Sequence, residues 1–441
     1  MFFYSTNNRN LKVSLREAVI RGLAPDNGLF MPERVDPLPK NFFETLHTKT
    51  FQQIAFEIAH HLLGEDLSQQ QLEAIVHHTI QFDAPVVEIE KDILALELFH
   101  GPTLAFKDFG ARFMSQLLGH FAQQQGREII ILVATSGDTG SAVANGFLDV
   151  PGVKVVVLYP SGKVSEVQEK QFTTLGKNIT ALEVTGTFDD CQRLVKQAFL
   201  DKDLNEKFFL TSANSINLAR LIPQSFYYFW AYRQVQEKGK QVIFSIPSGN
   251  FGNLTGGLLA KRMGLPVYQF IAATNANDVV PEYLRSRHFK PRPSRQTISN
   301  AMDVGNPSNF DRMLDLYDHN FEALAGDVRG YAFSDDQTRA AMLEVYQATK
   351  YVLDPHGAIG YLGLKKYFTE SKNDGVGIFL ETAHPGKFKD VVDHALQCTL
   401  DLPPALQTFL KANKKTRSIP GDYEGFKGMF QYLFLPSLLT Q

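Results

Sequence analysis

A glycine-rich turn with the composition of an anion site lies at residues 247–257, which read PSGNFGNLTGG. The turn follows a run of β-branched residues and opens a helical pattern. Gly249 and Gly252 let the backbone approach a bound anion, and the first N–H groups of a helix carry partial positive charge. These residues predict a phosphate site, with a plain glycine turn as the alternative.

Two well-known nucleotide motifs are missing from this turn. Its spacing is not G-x-G-x-x-G, and the next apolar run ends in Ala272, Ala273 and Thr274. That ending offers no acid for a ribose hydroxyl, so a dinucleotide site is disfavoured. The chain also has no G-x-x-x-x-G-K-[ST] sequence, which argues against an NTPase.

A second turn, residues 135–141 (TSGDTGS), also lies between an apolar run and a helical pattern. Ser136, Gly137 and Thr139 offer hydroxyl and main-chain N–H groups to an anion. Helix capping by Asp138 or Thr139 is the competing and, for this turn alone, the more common explanation.

A lysine in apolar surroundings is the third signal. Lys107 lies between Phe106 and Phe109 in residues 100–110 (HGPTLAFKDFG). Burial lowers the pKa of a lysine and frees its amine to act as a nucleophile. Most lysines are solvated, however, so the residues alone leave that alternative open.

These three segments need a framework of strands and helices. Continuous apolar runs without polar alternation predict strands buried on both faces, at residues 128–134, 153–159, 179–184, 241–247, 267–273 and 376–380. Helical spacing predicts helices at residues 51–63, 72–80, 164–175, 189–199, 215–236 and 253–263. Strand–helix alternation indicates an α/β fold with parallel sheets, where ligands bind at the carboxyl ends of strands.

Composition narrows the class of protein. The 441 residues carry a formal net charge of −3, with no basic patch of the kind that binds nucleic acid. Two cysteines, Cys191 and Cys398, argue against a disulfide framework, and no apolar run approaches the roughly 20 residues that span a membrane. Together with a first segment unlike a secretory signal, this predicts a soluble cytoplasmic protein that binds neither nucleic acid nor membrane.

Histidines do not suggest a metal site. His60 with His61, and His77 with His78, are adjacent pairs in helical patterns. Adjacent helical positions do not share a face, so we expect no metal site there. The aromatic run at residues 227–230 is similarly expected to be helix packing.

Taken together, the segments resemble the fold-type-II pyridoxal-phosphate (PLP) enzymes, and among them the threonine synthase family. The resemblance extends from Phe3 to about Phe388. It rests on LREAVIRGLAPDNGLFMPE, FHGPTLAFKDFG, ATSGDTGSA, TSANSINLARLIPQSFYY, PSGNFGNLTGG, SNAMDVGNPSNFDR and ETAHPGKF. Two features depart from the pattern: the opening YSTNN, and Asp138 where many fold-type-II relatives have asparagine.

The resemblance implies two open parallel-rich sheets flanked by helices and a mostly helical N-terminal subdomain at residues 1–95. A smaller mobile α/β domain would comprise residues 115–212 and carry the substrate-carboxylate loop. The larger, PLP-binding domain would comprise residues 96–114 and 213–441.

The resemblance also implies a reaction and a role for each site residue. O-phospho-L-homoserine and water would become L-threonine and phosphate by γ-elimination and β-addition of water. Lys107 would carry PLP as a Schiff base and act as the catalytic base, and Thr382 would hydrogen-bond the pyridine nitrogen. The cofactor phosphate would lie on the main-chain N–H groups of Gly249, Asn250, Phe251, Gly252 and Asn253. Substrate would be bound through its carboxylate by Ser136, Gly137 and Thr139, and through its phosphate by Asn214, Ser215 and Arg220.

Three other functions compete with this one. The first is another PLP reaction on this fold, such as a serine or threonine dehydratase. The second is a non-catalytic protein that binds a phosphorylated metabolite, and the third is a structural or interaction protein. We expect a monomer or homodimer. The roles of His100, Asp303, His384 and Lys387 stay open between support of the site and simple exposure.

Overall fold

The computed structural model describes residues 1–125 and 128–438. Its strands are β1 (Phe3–Ser5), β2 (Asn8–Val13), β3 (Phe30–Pro32), β4 (Val86–Glu90), β5 (Ile93–Glu97), β6 (Ile129–Ala134), β7 (Val153–Pro160), β8 (Ile179–Thr185), β9 (Phe209–Ser212), β10 (Val242–Pro247), β11 (Val267–Thr274), β12 (Val328–Ala332), β13 (Val376–Glu381) and β14 (Arg417–Pro420).

Helices account for most of the remaining chain. They are α1 (Leu15–Arg21), α2 (Lys40–Glu44), α3 (Phe51–Leu63), α4 (Gln69–Thr79), α5 (Lys107–Gln125), α6 (Asp138–Gly146), α7 (Glu166–Thr173), α8 (Phe188–Leu200), α9 (Lys202–Lys207), α10 (Leu218–Leu221), α11 (Phe226–Val235), α12 (Gly252–Arg262), α13 (Val279–Ser286), α14 (Phe310–Leu316), α15 (Phe321–Asp327), α16 (Asp335–Thr349), α17 (Pro355–Ser371), α18 (Lys389–Leu396), α19 (Pro404–Lys411) and α20 (Tyr423–Leu438).

The chain forms two compact units. The first comprises Met1–Phe113 and Ser215–Leu402, and the second Met114–Asn214 and Pro403–Gln441. The smaller unit is therefore built from two separate stretches of sequence. The domain limits expected from the sequence gave residues 403–441 to the larger domain, whereas β14 pairs with β8 in the sheet of the second unit. Residues 126–127 and 439–441, which those limits included, lie outside the described residues.

The first unit contains a six-stranded sheet in the order β12-β11-β10-β13-β5-β4. Neighbouring strands are parallel except the antiparallel pair β4 and β5. Every residue of β10 and β13 is buried, as expected of central strands covered on both faces. Helices α16 and α17 supply core residues such as Met342, Ile359 and Leu364 against this sheet.

The second unit contains a five-stranded, fully parallel sheet in the order β14-β8-β7-β6-β9. Leu132, Val156 and Leu182 from its strands pack with Phe426 and Phe430 of α20 in one buried cluster. The two open, parallel-rich sheets flanked by helices confirm the fold class expected from the sequence. In addition, the first residues form a small antiparallel sheet, β2-β1-β3, beside α1 to α4.

One predicted helix is wrong in its extent. Residues 215–236 were expected to form a single helix, but the structure divides them into α10, a 3-10 turn at Ile222–Ser225, α11 and a second 3-10 turn. Pro223 lies inside the first 3-10 turn, where it has no N–H group for an α-helical hydrogen bond. The 3-10 turn thus lies between Arg220 in α10 and the aromatic residues of α11.

Candidate functional site

Lys107 and Thr382 are held together by a short stretch of backbone pairing. Ala105 forms an antiparallel bridge with Ala383, and the N–H of Phe106 donates to the carbonyl of Thr382 over 2.8 Å. Thr382 directly follows β13, and its exposed fraction is only 6%. The lysine and the hydroxyl thus lie on neighbouring backbone segments at the carboxyl end of a central strand.

Lys107 is the first residue of α5 and is partly buried. Its Nζ lies 5.8 Å from the centre of the Phe106 ring, within the range of a cation–π contact. Leu104, three residues earlier, has a φ of 56°, a left-handed conformation that is rare for a residue with a side chain. Such backbone strain concentrates at ligand-binding sites.

A buried carboxylate orders the loop in front of Lys107. Asp108 accepts hydrogen bonds from the Thr103 hydroxyl (2.6 Å) and the Thr103 N–H (2.9 Å). Burial raises the pKa of Asp108, although these hydrogen bonds act against the increase. Lys387, whose role was open, is 1% exposed and donates its Nζ to the Thr103 carbonyl over 2.7 Å. It therefore supports the loop that carries Lys107.

The turn at residues 249–253 has the geometry of an anion cradle. It follows β10, and Phe251 adopts a left-handed φ of 60° as the N-cap of α12. Among the hydrogen bonds of the described residues, none uses the N–H groups of residues 249–253 as donors. A Cβ on Gly249 would lie 2.8 Å from the Cα of Met302, so only glycine fits under that segment.

The two asparagine side chains of this turn bind protein atoms. Asn253 donates to the Pro247 carbonyl over 2.8 Å and accepts from the Leu254 N–H over 3.0 Å, which closes the turn on itself. Asn250 donates to the Ser215 hydroxyl over 2.6 Å and accepts from the Ser308 N–H over 2.6 Å. Ser215, expected at the substrate phosphate, therefore touches the turn expected at the cofactor phosphate.

Arg220 lies along the helix that begins with Lys107. A Cβ on Gly110 would be 2.8 Å from the Arg220 Nε and 3.0 Å from its carbonyl, so a side chain at position 110 would displace the arginine. Arg220 is 4% exposed. Burial lowers its pKa to about 10, and the charge of Asp108 opposes that change. A buried cation of this kind is suited to a dianionic group.

The remaining predicted site residues belong to the second unit. Ser136, Gly137 and Thr139 form the turn from β6 into α6, and Asn214 is the last residue before the chain enters the first unit. Thr135 stabilises the turn because its hydroxyl accepts from the N–H groups of Gly137 (2.9 Å) and Gly140 (2.8 Å).

Gln168, which no sequence motif indicates, contacts the turn proposed for the substrate carboxylate. Its Nε2 donates to the Asp138 carboxylate over 2.9 Å, and both side chains are buried. Gly137 has a φ of 142°, and a Cβ there would lie 2.6 Å from the Gln168 carboxamide. The amide thus satisfies the acid that replaces asparagine in this turn, and its contact with Gly137 excludes larger residues.

A buried acid network lies directly before Thr382. Glu381 is fully buried, and its Oε2 accepts from the Asp354 N–H at 3.4 Å. Burial and the negative charge of Asp354 raise the pKa of Glu381 well above its usual range. Asp354 caps α17 and contacts His356 Nδ1 at 2.6 Å, while His356 Nε2 accepts from the Ala301 N–H at 3.3 Å. Ala301 in turn borders Gly249, so this network joins the two ends of the site.

Other candidates lie around the site or serve packing. Asp303 accepts from Asn275 (2.9 Å) and Thr297 (2.7 Å), and burial raises its pKa. His384 is partly buried, and burial lowers its pKa. His100 is exposed and contacts Glu97.

Tyr227, Tyr228 and Phe229 have no exposed surface, in keeping with helix packing. Within residues 1–125 and 128–438, no cluster of histidine, cysteine and acidic residues could hold a metal ion. No helix in the described part of the chain is both long and apolar enough to cross a membrane.

Comparison with protein families covers almost the whole chain. Residues 80–380 match the family described as pyridoxal-phosphate dependent enzyme. Residues 2–80 match the threonine synthase N terminus, and residues 357–429 match the C-terminal part of threonine synthase.

Individual relatives agree with these matches. The threonine synthase of Escherichia coli is 44% identical over 428 residues, which cover 97% of this chain and 98% of the relative. That of Haemophilus influenzae is 46% identical over 407 residues, or 92% of this chain and 94% of the relative. The crystal structure of a PLP-bound threonine synthase from Brucella melitensis superposes with a TM-score of 0.91 at 31% identity, covering 98% of this chain and 99% of that one.

Proposed function

The chain belongs to the threonine synthase family of PLP-dependent enzymes, and we propose that the residues described above carry out the threonine synthase reaction. It is a PLP-dependent lyase of fold type II that converts O-phospho-L-homoserine and water to L-threonine and phosphate. The reaction eliminates phosphate from the γ carbon and adds water at the β carbon, in the last step of threonine biosynthesis.

The residues of the first unit fit the cofactor. Five consecutive N–H groups at residues 249–253 have no acceptor among the described residues, which suits the phosphate group. Lys107 supplies the amine for covalent attachment, and Thr382 supplies a hydroxyl for the pyridine nitrogen. A hydroxyl at that position, in contrast to a carboxylate, favours an unprotonated nitrogen. When bound, PLP supplies an electron sink for negative charge on substrate carbons.

The amine of Lys107 is proposed as the base that moves protons. Nζ takes the α proton, gives it up, and then takes a proton from the β carbon, after which phosphate leaves with the electron pair of the γ C–O bond. A proton is returned to the γ carbon, and water adds OH at the β carbon. Of the two protons that are left, one returns to the α carbon and the other goes to the departing phosphate. The ring of Phe106, with its centre 5.8 Å from Nζ, covers one side of the amine.

Substrate recognition is assigned by the chemistry of each segment. Arg220 and the Ser215 hydroxyl, with Asn214, bind the phosphate, because a guanidinium forms strong bidentate bonds to such groups. Ser136, Gly137 and Thr139 bind the carboxylate through hydroxyl and N–H groups. We assign these roles because both segments resemble the corresponding motifs of threonine synthases.

The observation that carries the cofactor assignment is the pairing of Ala105 with Ala383, because it joins the lysine segment to the hydroxyl segment. Borohydride reduction of the holoenzyme, followed by proteolysis and mass spectrometry, tests it. The mass of the reduced cofactor is expected on the peptide that contains Lys107. Lys107→Ala should lose this label, the visible absorbance of bound cofactor and turnover.

Lys91→Ala is a matched control, because Lys91 is an exposed lysine outside the site. It should keep the label, the absorbance and the turnover. A label on any other lysine, or activity in Lys107→Ala, would contradict the assignment. The same preparations test the phosphate site: a dehydratase would release no phosphate from O-phospho-L-homoserine, whereas equal amounts of phosphate and threonine support the proposal.

We further propose that the enzyme works in the cytoplasm as a monomer or homodimer. Its two cysteines, Cys191 and Cys398, are free thiols, as is usual in a reducing compartment. Fractionation of cells and sedimentation of the purified holoenzyme test the two statements separately.

A further inference from the structure

A fully buried arginine lies beside the segment proposed to bind the substrate phosphate. Arg312 belongs to α14, in the SNAMDVGNPSNFDR motif, and its exposed fraction is 0%. Burial lowers its pKa to about 9, and the charge of Asp315 opposes that change. The guanidinium therefore remains charged at neutral pH, and a buried charge is costly unless every donor is satisfied.

Arg312 places all five of its N–H donors on oxygen atoms. Its bonds are Nε to Phe30 O (3.3 Å), Nη2 to Phe30 O (2.9 Å), Nη2 to Ile216 O (2.8 Å), Nη1 to Ser215 O (3.4 Å) and Nη1 to Asn309 Oδ1 (2.8 Å). Two of these acceptors are consecutive carbonyls of the proposed phosphate segment. The planar fork of arginine is suited to several fixed carbonyls at once, which a lysine is not.

The orientation of these carbonyls determines the direction in which the following backbone N–H groups point. The described residues contain no cis peptide bond, so the N–H after each carbonyl points the other way. With the Ser215 and Ile216 carbonyls on Arg312, the following N–H groups face away from the guanidinium. Asn217, next in the chain, caps the helix that carries Arg220.

Asn309 extends the same support. Its Oδ1 accepts from Arg312, and its Nδ2 donates to the Ser215 carbonyl over 3.4 Å. The Ser215 hydroxyl is meanwhile bound by Asn250, over 2.6 Å. Ser215 is thus fixed at its carbonyl and at its side chain by two different segments.

We infer that Arg312, assisted by Asn309, is a positioning residue that holds the Ser215–Ile216 backbone in the conformation that binds the phosphate group of the substrate. The inference rests on the proposed phosphate site at Asn214, Ser215 and Arg220. Arg312 does not contact substrate in this scheme; it acts through the segment whose carbonyls it binds.

The test uses the holoenzyme, in which cofactor occupies its own phosphate site, and inorganic phosphate as the probe. Phosphate affinity is measured by calorimetry for Arg312→Lys, Asn309→Ala and Arg220→Gln. KM and kcat for O-phospho-L-homoserine and the visible cofactor spectrum are recorded in parallel. Asn320→Ala is the matched control, because Asn320 is an exposed asparagine that precedes α15 as Asn309 precedes α14, and its Oδ1 accepts from the Ala323 N–H.

We expect Arg312→Lys and Asn309→Ala to weaken phosphate binding by roughly three- to tenfold, the worth of one to two hydrogen bonds. KM should rise by a similar factor, with the cofactor spectrum unchanged and Asn320→Ala like the wild type. If Arg312→Lys does not fold, Asn309→Ala decides alone.

Unchanged phosphate affinity in the folded variants, with affinity lost in Arg220→Gln, would overturn the positioning role and leave the phosphate site intact. Unchanged affinity in Arg220→Gln would instead refute the phosphate site itself.

Discussion

The side-chain amide of Asn250 donates a 2.6 Å hydrogen bond to the hydroxyl of Ser215. The bond joins the turn proposed for the cofactor phosphate to the segment proposed for the substrate phosphate. The two segments proposed to bind these anionic groups are therefore held together by a direct side-chain hydrogen bond.

This contact predicts that substitutions of Asn250 and Ser215 have non-additive effects on KM. Asn250→Ala and Ser215→Ala should each raise the KM for O-phospho-L-homoserine by about fivefold, the worth of one neutral hydrogen bond of about 1 kcal/mol. Because both remove the same bond, the double variant should be less impaired than the product of the two effects. Steady-state kinetics on the four proteins measures the coupling, and fully multiplicative effects would show that the bond does not support binding.

Gly249 and Gly252 should differ in their tolerance of alanine. A Cβ at Gly249 would lie 2.8 Å from the Met302 Cα and 2.9 Å from the Ala301 carbonyl, whereas a Cβ at Gly252 would have no contact closer than 3.4 Å. Gly249→Ala should lower the free energy of unfolding by about 1–3 kcal/mol and weaken PLP binding. Gly252→Ala, at the first position of a helix, should lower neither the free energy of unfolding nor helix content. Urea unfolding with and without cofactor distinguishes them, and equal losses would contradict the steric argument.

Glu381 predicts a pH-dependent stability. Its folded-state pKa is raised by burial and by Asp354, so folding retains a proton that the unfolded chain loses above about pH 4.3. The stability from this group is complete below that pH and declines as pH rises towards the folded-state pKa, by at most about 1.4 kcal/mol per pH unit. Glu381→Gln mimics the protonated acid and should gain stability relative to the wild type as pH rises.

Urea unfolding of the wild type and Glu381→Gln measures the difference in their free energies of unfolding. The measurements run from about pH 5 to about pH 8, a range that begins just above the pKa of a glutamate in the unfolded chain. Glu206→Gln is the control, because Glu206 is exposed, and its difference from the wild type should not change with pH. A constant difference for Glu381→Gln would mean that Glu381 is ionised in the folded protein.

The contact between Gln168 and Asp138 predicts that stability lost by changing one residue is recovered when the amide and the carboxylate are exchanged. Gln168→Glu would place two carboxylates at the present 2.9 Å contact and should cost about 1–3 kcal/mol of stability at neutral pH. The cost should shrink in acid as one carboxyl takes up a proton. Combining it with Asp138→Asn restores an amide–carboxylate pair and should recover most of the lost stability in thermal unfolding. No recovery would indicate that the pair does not stabilise the turn.

Much of the fold was predictable because its central strands are covered on both faces. The apolar run at residues 153–159 became β7, and the helix at residues 51–63 became α3, at residues Phe51–Leu63. Two short strands next to the helical N-terminal region, β4 (VVEIE) and β5 (ILALE), were not predicted, because each has only five residues. Short edge strands such as β14 carry too little apolar sequence to stand out before their partner is known.

Some residues of the proposed site can be recognised from neighbouring sequence, whereas others depend on partners far away in the chain. Lys107, the turn at residues 249–253 and Thr382 are recognisable because residues adjacent in sequence carry their chemistry. Arg312 is different, since its partner Phe30 lies 282 positions earlier in the chain. Glu381, Asp354 and Gln168 likewise gain their roles from packing, so their functions appear only when the fold brings the partners together.

The pairing of β14 with β8 has a consequence for biosynthesis. The strand that completes one edge of the smaller sheet is translated only after the entire intervening portion of the larger unit, residues 215–402. On the ribosome, β8 therefore remains an unpaired sheet edge while residues 215–402 are synthesised. At about 5–20 residues per second this takes on the order of tens of seconds. Chaperone binding to nascent chains should accordingly be strongest after β8 has appeared and should fall once the last helix is released.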